Sequence, residues 1–156
     1  ILKKSLLERT QEFCDELFAA MKVETTVNID FREEDNVMNI DLSGSDMGIL
    51  IGKRGQTLDA LQYLISLYVN RESDAYIRVK LDTENYRERR KATLEKLAKK
   101  IAYTVNRTKK PVALEPMNPY ERRVIHSALQ NDRYVCTKSE GEEPYRKVVI
   151  MLKRDR

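Results

Sequence analysis

The feature that most constrains the fold is residues 83–107, which contain neither glycine nor proline. A continuous helix over this stretch would be about 37 Å long. Its first half is nearly all charged, with Tyr86 as the only large apolar residue, whereas apolar residues recur at helical spacing from Leu94 to Val105. We therefore predict a solvated connector that continues into a helix docked on a second core, with domains at residues 1–82 and 83–156.

The first 81 residues show alternating helical and strand patterns. Apolar positions three or four residues apart indicate helices, and strict alternation of apolar and polar residues indicates half-buried strands. Either Ser45 or Asp46 is suited to cap a short helix. The patterns predict, in chain order, a helix over 2–21, an antiparallel hairpin over 23–31 and 38–42, a short helix ending at Ile51, a helix ending near Asn70 and a strand over 75–81.

The residues after Pro111 predict a smaller set of elements. Asn118 followed by Pro119 is typical of a helix start, because the asparagine caps the helix and proline fits its first turn. We extend this helix to about Gln130. Short strands are predicted over 112–114, 134–137 and 147–152, the last two joined by a turn over 140–144. The fold class is therefore α+β, with an αββααβ domain joined by a long basic helix to a small α/β domain.

Composition and charge exclude several classes of protein. No apolar run approaches the roughly 20 residues that a membrane-spanning helix needs, so we expect no integral membrane segment. The two cysteines form neither a metal-binding motif nor a disulfide framework, which favours a cytoplasmic protein with no metal or cofactor. Residues 82–110 contain 10 basic and 4 acidic residues, against 10 basic and 14 acidic residues in 1–81. Such asymmetry is often found in proteins that bind polyanions, although a soluble helix also explains it.

Two glycines flank two basic residues between the predicted short helix and the next one, at Gly52, Lys53, Arg54 and Gly55. Glycine removes the side chain that keeps a ligand away, and the helix that follows presents N–H groups to an anion. Lys53 and Arg54 add charge-assisted contacts to phosphate. The alternative is a tight turn with incidental surface charges. In its αββααβ context, the string from Ile51 to Leu58 resembles a type II KH domain, which implies a loop that clamps about four nucleotides.

A second candidate site lies on the helix that begins near Pro119. Arg122 and His126 are four residues apart, so they share one helix face, and an Arg–His pair can hold a phosphate or a terminal nucleotide. The alternative is a surface histidine beside an ordinary arginine. Over about 83–153 the sequence resembles the Arg-x-x-x-His single-stranded nucleic-acid-binding domain. That resemblance implies two helices on one side of a three-stranded sheet, with Arg122, His126 and the neighbouring Arg123 and Arg146 at the nucleic acid.

The combination of these two domains is similar to the Jag (SpoIIIJ-associated) family of bacteria. The resemblance implies a cytoplasmic protein that binds single-stranded RNA and acts in cell elongation, division or envelope synthesis. It also implies a homodimer or pairing with a small KH protein, and it leaves single-stranded DNA open as a ligand of the second domain. An enzyme is disfavoured, because the chain has one histidine and no metal-ligand spacing. The alternative function is a protein-interaction module in which RNA binding is secondary.

Overall fold

The computed structural model describes residues 4–154, and it divides into two compact units. The first unit ends at Arg87 and the second begins at Glu88. Each unit has its own hydrophobic core. Among the described residues, no helix combines the length and the apolar character needed to cross a bilayer.

The first unit has the predicted order αββααβ, so this part of the fold class is confirmed. Ser5 caps the first helix by accepting a hydrogen bond from the Glu8 amide at 3.1 Å, and the predicted start at Leu2 lies outside the described residues. Asp46 stands at the cap position of the short helix, but its side chain makes no capping hydrogen bond. The elements are α1 (Leu6–Ala20), β1 (Thr26–Arg32), β2 (Val37–Ser43), α2 (Met47–Ile51), α3 (Gln56–Glu72) and β3 (Arg78–Thr83).

The three strands form one mixed sheet in the order β1-β2-β3. β1 and β2 pair antiparallel, as predicted, while β2 and β3 run parallel with Val37 opposite Arg78. A parallel pair needs a long crossover, and α2 and α3 supply it. The core between helices and sheet contains the fully buried residues Phe18, Met38 and Leu81 among others.

The third strand begins at Arg78, three residues later than the pattern predicts. The Asn70 side chain accepts a hydrogen bond from the Ile77 amide at 2.7 Å and donates one to the Ile77 carbonyl at 2.9 Å. Both backbone groups of Ile77 are therefore bonded to Asn70 at the end of α3. Alternation of apolar residues does not reveal this arrangement, because Ile77 is buried like a strand residue.

The second unit contains most of a long helix, a shorter helix and three strands. The long helix begins at Tyr86, not at Thr83, because Glu84 and Asn85 adopt left-handed backbone angles with φ of 52° and 55°. The strands form an antiparallel sheet in the order β4-β6-β5. The elements are α4 (Tyr86–Thr108), β4 (Val112–Ala113), α5 (Pro119–Ala128), β5 (Val135–Glu140) and β6 (Lys147–Leu152).

The predicted start of α5 is confirmed in detail. The Asn118 side chain accepts a hydrogen bond from the Glu121 amide at 2.8 Å, and Glu121 in turn accepts one from the Asn118 amide at 3.4 Å. This reciprocal capping satisfies amides that the first turn of a helix leaves without partners. The helix ends at Ala128 rather than Gln130. The core joins α4, α5 and the sheet through residues such as Leu94, Ile125 and Ile150.

Candidate nucleic-acid interface

The first candidate site is the bend between α2 and α3. Its backbone forms a short 3-10 turn over Lys53–Gly55 that is flanked by left-handed glycines, with φ of 72° at Gly52 and 75° at Gly55. Within this bend, the Gly52 amide donates to Gly48 at 3.0 Å and the Gly55 amide to Gly52 at 3.4 Å. These two amides are therefore already used to shape the turn.

The two glycines of the bend are required by packing inside the protein. A Cβ atom on Gly52 would lie 2.2 Å from the Thr57 hydroxyl and 3.0 Å from the Thr57 backbone nitrogen. A Cβ atom on Gly55 would lie 2.6 Å from the Tyr86 ring. The expectation that the missing side chains leave space for a ligand is thus not what the local geometry shows. The missing side chains leave space for Thr57 and Tyr86.

The side chains of the bend carry its charge outward. Lys53 is exposed, and Arg54 is half-buried in a left-handed conformation with φ of 55°. Ile49, one turn before the bend, exposes 60% of its surface. A cation next to an exposed apolar side chain can contact both the phosphate and the base of one nucleotide.

The first turn of α4 is not the solvated connector that the sequence suggested, because it supports the bend. Tyr86 packs against the first core. The Arg87 guanidinium forms an ion pair with Asp59 at 2.8 Å, and it also donates to the Leu81 carbonyl at 2.8 Å and to Gln62 at 3.2 Å. Arg87 therefore stabilises the first unit, and its donors are used within the protein.

Arg90, a second cation of the predicted connector, is also paired. Its guanidinium donates to the Glu121 carboxylate at 2.8 Å, and the Glu121 side chain is only 9% exposed. The expectation that Arg87 and Arg90 attract nucleic acid is therefore wrong, because both are held by carboxylates that lie far away in the sequence. The sequence offers no signal for these pairings.

The second candidate site centres on Arg122, which is almost fully buried. Its guanidinium donates to the Met117 carbonyl at 2.6 Å and forms an ion pair with Glu143. The Arg122 side chain is 10% exposed, whereas that of Glu143 is 51% exposed. The carboxylate of Glu143 thus covers the guanidinium from the solvent side. An incoming phosphate would compete with this carboxylate for the same donors.

His126 lies between two hydroxyl groups of β5. Its Nδ1 is 2.6 Å from the Thr137 hydroxyl and its Nε2 is 2.8 Å from the Ser139 hydroxyl. Burial, followed by the positive charges of Arg122 and Arg146, lowers the pKa of His126 below its usual value. Because a neutral imidazole has one donor and one acceptor nitrogen, the two hydroxyls fix the orientation of the ring.

Three of the four predicted residues of the second site lie together. Arg122 and Arg146 are both close enough to influence the charge of His126. Arg146 also donates to the Gly141 carbonyl at 2.6 Å. Arg123, by contrast, is exposed on another face of α5.

The residues that sequence reasoning missed at this site are Thr137, Ser139 and Glu143. Thr137 and Ser139 are two residues apart in a strand, so their side chains share a face, and this spacing was a usable signal. Glu143 lies in a loop, where no periodic pattern indicates its contact with Arg122. Among the described residues, no group of side chains could hold a metal ion.

Comparison with known proteins agrees with this two-part organisation. Residues 9–81 match the KH domain of KhpA and KhpB, and residues 92–152 match the Arg-x-x-x-His domain. The chain is 63% identical over 153 residues to the RNA-binding protein KhpB of Clostridium symbiosum, an alignment that covers 98% of this chain and 69% of that protein. The chain belongs to the KhpB (Jag) family. The family resemblance inferred from the sequence is therefore confirmed.

More distant KhpB proteins show the same relationship. The chain is 41% identical to the RNA-binding protein KhpB of Lactiplantibacillus plantarum over 144 residues and 42% identical to that of Bacillus subtilis over 129 residues. It spans 44% and 62% of the length of these two relatives. All three relatives are named as RNA-binding proteins and not as enzymes.

Proposed function

We propose that this chain binds single-stranded RNA through the bend at Gly52–Gly55, without catalysing a reaction. The observation that carries this proposal is the bend itself, which presents the exposed Lys53 beside Arg54 on a backbone fixed by internal packing. Because the bend is already ordered, binding there costs little conformational entropy. The names of the KhpB relatives support RNA as the ligand.

The second unit contributes a further RNA contact in this proposal. The charges of Arg122 and Arg146 flank His126, and its partner hydroxyls on β5 present groups that can bond to ribose or phosphate. A phosphate that binds Arg122 displaces Glu143, whose carboxylate is half exposed. Arg123 would act only at the edge of this contact, because it is exposed on a different face. Single-stranded DNA is the alternative ligand for this unit.

We also propose a role for the protein in regulating cell elongation, division or envelope synthesis after transcription, in the cytoplasm. This part of the proposal is based on the family resemblance. It predicts that transcripts for these processes are enriched among RNAs crosslinked to the protein in living cells. Loss of that enrichment in a variant of the bend would connect the RNA contact with the cellular role.

The RNA contact is tested by reversing the charge of the bend. We expect Lys53→Asp combined with Arg54→Asp to reduce the affinity for a single-stranded RNA 20-mer more than tenfold, because a hydrogen bond to a charged group contributes about 1.5–3 kcal/mol. Fluorescence anisotropy measures the affinity, and circular dichroism confirms that the fold is retained. Aspartate is suited to position 54, since it tolerates left-handed backbone angles.

The matched control makes the same change of charge elsewhere in the first unit. Arg78 and Lys80 are exposed and alternate along β3. We expect Arg78→Asp combined with Lys80→Asp to retain most of the affinity. If both double variants lose affinity equally, or if neither does, the bend is not the RNA contact.

A second candidate function, a protein-interaction surface, is favoured by an exposed apolar stripe on α3. Tyr63, Leu64 and Leu67 lie three or four residues apart on this helix and expose 65%, 47% and 52% of their surfaces. Such a stripe can bind a second copy of this chain or a small KH protein. Sedimentation equilibrium tests this function, because association through apolar residues should persist at high salt and be lost in Leu64→Glu with Leu67→Glu. A protein that is monomeric at all salt concentrations would retire the homodimer.

A further inference from the structure

The solvent-facing side of α4 carries a row of cations within the second unit. Lys96, Lys100 and Arg107 are exposed, and Tyr103, which lies between them, exposes 70% of its surface. These four residues follow one another at intervals of four, three and four positions. At 1.5 Å per residue, the row extends for about 17 Å along the helix. We call these four residues the α4 stripe.

Packing fixes the direction in which the α4 stripe points. Leu94, Ala98 and Val105 on the same helix are fully buried in the second core. At about 100° per residue, the mean direction of the stripe is roughly opposite to that of these buried residues. The stripe therefore faces solvent along its whole length and cannot turn inward without removing the helix from its core.

The charge of the α4 stripe is not neutralised within the protein. Across residues 4–154, no ion pair involves Lys96, Lys100 or Arg107. The acidic residues of this helix, Glu88 and Glu95, project about 90–110° away from the stripe. Arg87 and Arg90, by contrast, are bonded to carboxylates. The second half of the helix, not its charged first half, thus presents cations to a partner.

We propose that the α4 stripe is a third RNA contact, at which Lys96, Lys100 and Arg107 bind successive phosphates and Tyr103 stacks on a base. The three cations have no sequence-reading geometry, so this contact accepts any single-stranded sequence. The inference rests on the proposed RNA binding and adds a site outside both the bend and the Arg122–His126 cluster. It predicts that long RNAs gain affinity that a tetranucleotide cannot.

An anionic membrane is the other polyanion that a basic helix can meet. Helices that lie on membranes bury an apolar face among the lipids. In α4 the apolar face is already occupied by the second core, with Leu94, Ala98 and Val105 fully buried. The exposed side offers a single large aromatic residue, Tyr103, which suits an unstacked base better than a bilayer.

The test removes the three charges of the stripe in Lys96→Gln/Lys100→Gln/Arg107→Gln. Binding is measured by fluorescence anisotropy with a labelled uridine 20-mer over a series of salt concentrations, and by NMR titration with a uridine tetranucleotide. Each phosphate contact on a single strand contributes about 0.7 to the slope of log K against log salt, so three contacts should reduce that slope by about 2. We also expect at least a tenfold loss of affinity for the 20-mer and unchanged binding of the tetranucleotide.

The matched control, Lys22→Gln/Arg78→Gln/Lys80→Gln, removes three exposed charges from the first unit and should retain most of the slope. A separate Tyr103→Ala variant should weaken binding of the 20-mer about fivefold or more with an unchanged salt slope, because stacking involves no counterion release. Circular dichroism should show that all variants retain their helix content.

The outcomes separate this inference from the proposed function. If the unmodified protein binds the 20-mer and the stripe variant binds it with the same affinity and slope, the α4 stripe is not an RNA contact. If the unmodified protein binds neither RNA, the proposed function fails and this inference fails with it. Binding to phosphatidylserine vesicles that the stripe variant loses, with unchanged RNA affinity, would overturn the inference in favour of a membrane.

Discussion

The packing of Gly55 against Tyr86 allows a quantitative test of why the bend contains glycines. An alanine at position 55 must adopt φ of 75° and place its Cβ atom 2.6 Å from the Tyr86 ring. The left-handed conformation costs about 1–2 kcal/mol for a residue with a Cβ atom. Crowding in a packed site adds about 1–3 kcal/mol. We therefore expect Gly55→Ala to lower the free energy of unfolding of the first unit by roughly 2–5 kcal/mol.

A double-mutant cycle with Tyr86→Ala separates the two costs. Without the ring, alanine at position 55 retains only its backbone strain, so Gly55→Ala should cost about 1–2 kcal/mol in that background. The measurement is native-state hydrogen exchange of the β2 amides in Val37–Ser43, because the stability of one unit is then followed independently of the other. If the two changes are additive within about 0.5 kcal/mol, the ring does not restrict position 55 and the reasoning is refuted.

Gly52 provides the contrasting case in the same bend. Its added Cβ atom would meet the Thr57 hydroxyl at 2.2 Å, the Thr57 Cβ atom at 2.7 Å and the Thr57 backbone nitrogen at 3.0 Å. Trimming Thr57 to alanine removes only the first of these contacts. We therefore expect Thr57→Ala to give little relief to Gly52→Ala, whereas Tyr86→Ala relieves Gly55→Ala.

Three further predictions concern the ionisable groups. Arg87→Met should lower the free energy of unfolding of the first unit by about 1–3 kcal/mol and leave RNA affinity unchanged, because its hydrogen bonds lie within that unit; urea denaturation and anisotropy measure the two effects. The folded-state pKa of His126 is lowered, so its contribution to stability is complete above about pH 6.5 and is lost as the pH falls through the folded-state pKa; the urea midpoints of the unmodified protein and of His126→Gln should therefore diverge less at pH 5 than at pH 7.5. Glu143→Gln should raise affinity for the RNA 20-mer several-fold by removing the carboxylate that covers Arg122, and equal enhancement by Glu142→Gln, the neighbouring control, would show a general charge effect instead.

Local patterns were sufficient for most of the fold. The alternation in β1 and β2, and the Asn118–Pro119 start of α5, depend on residues within a few positions of one another, and the structure contains each of them. The errors occurred where a distant group decides the outcome. The sequence could not show that Asn70 bonds both backbone groups of Ile77, and the strand therefore begins at Arg78.

The candidate sites divide in the same way. The Arg122–His126 spacing follows from helix periodicity, and the structure places these side chains near each other and near Arg146. The contact between Arg122 and Glu143 spans 21 positions of the chain, so no local pattern could reveal it. Likewise, the role of Gly55 depends on Tyr86, which enters the site from the next helix.

The sequence by itself determined the order of elements, the family and the positions of the basic residues, because periodicity and motifs are local properties. Only the tertiary structure decided which cations remain available to a polyanion. Arg87 and Arg90 are held by Asp59 and Glu121, which lie 28 and 31 positions away, while Lys96 and Lys100 face solvent. The physical reason is that a long flexible side chain binds the nearest opposite charge in space, and folding alone determines which charge that is.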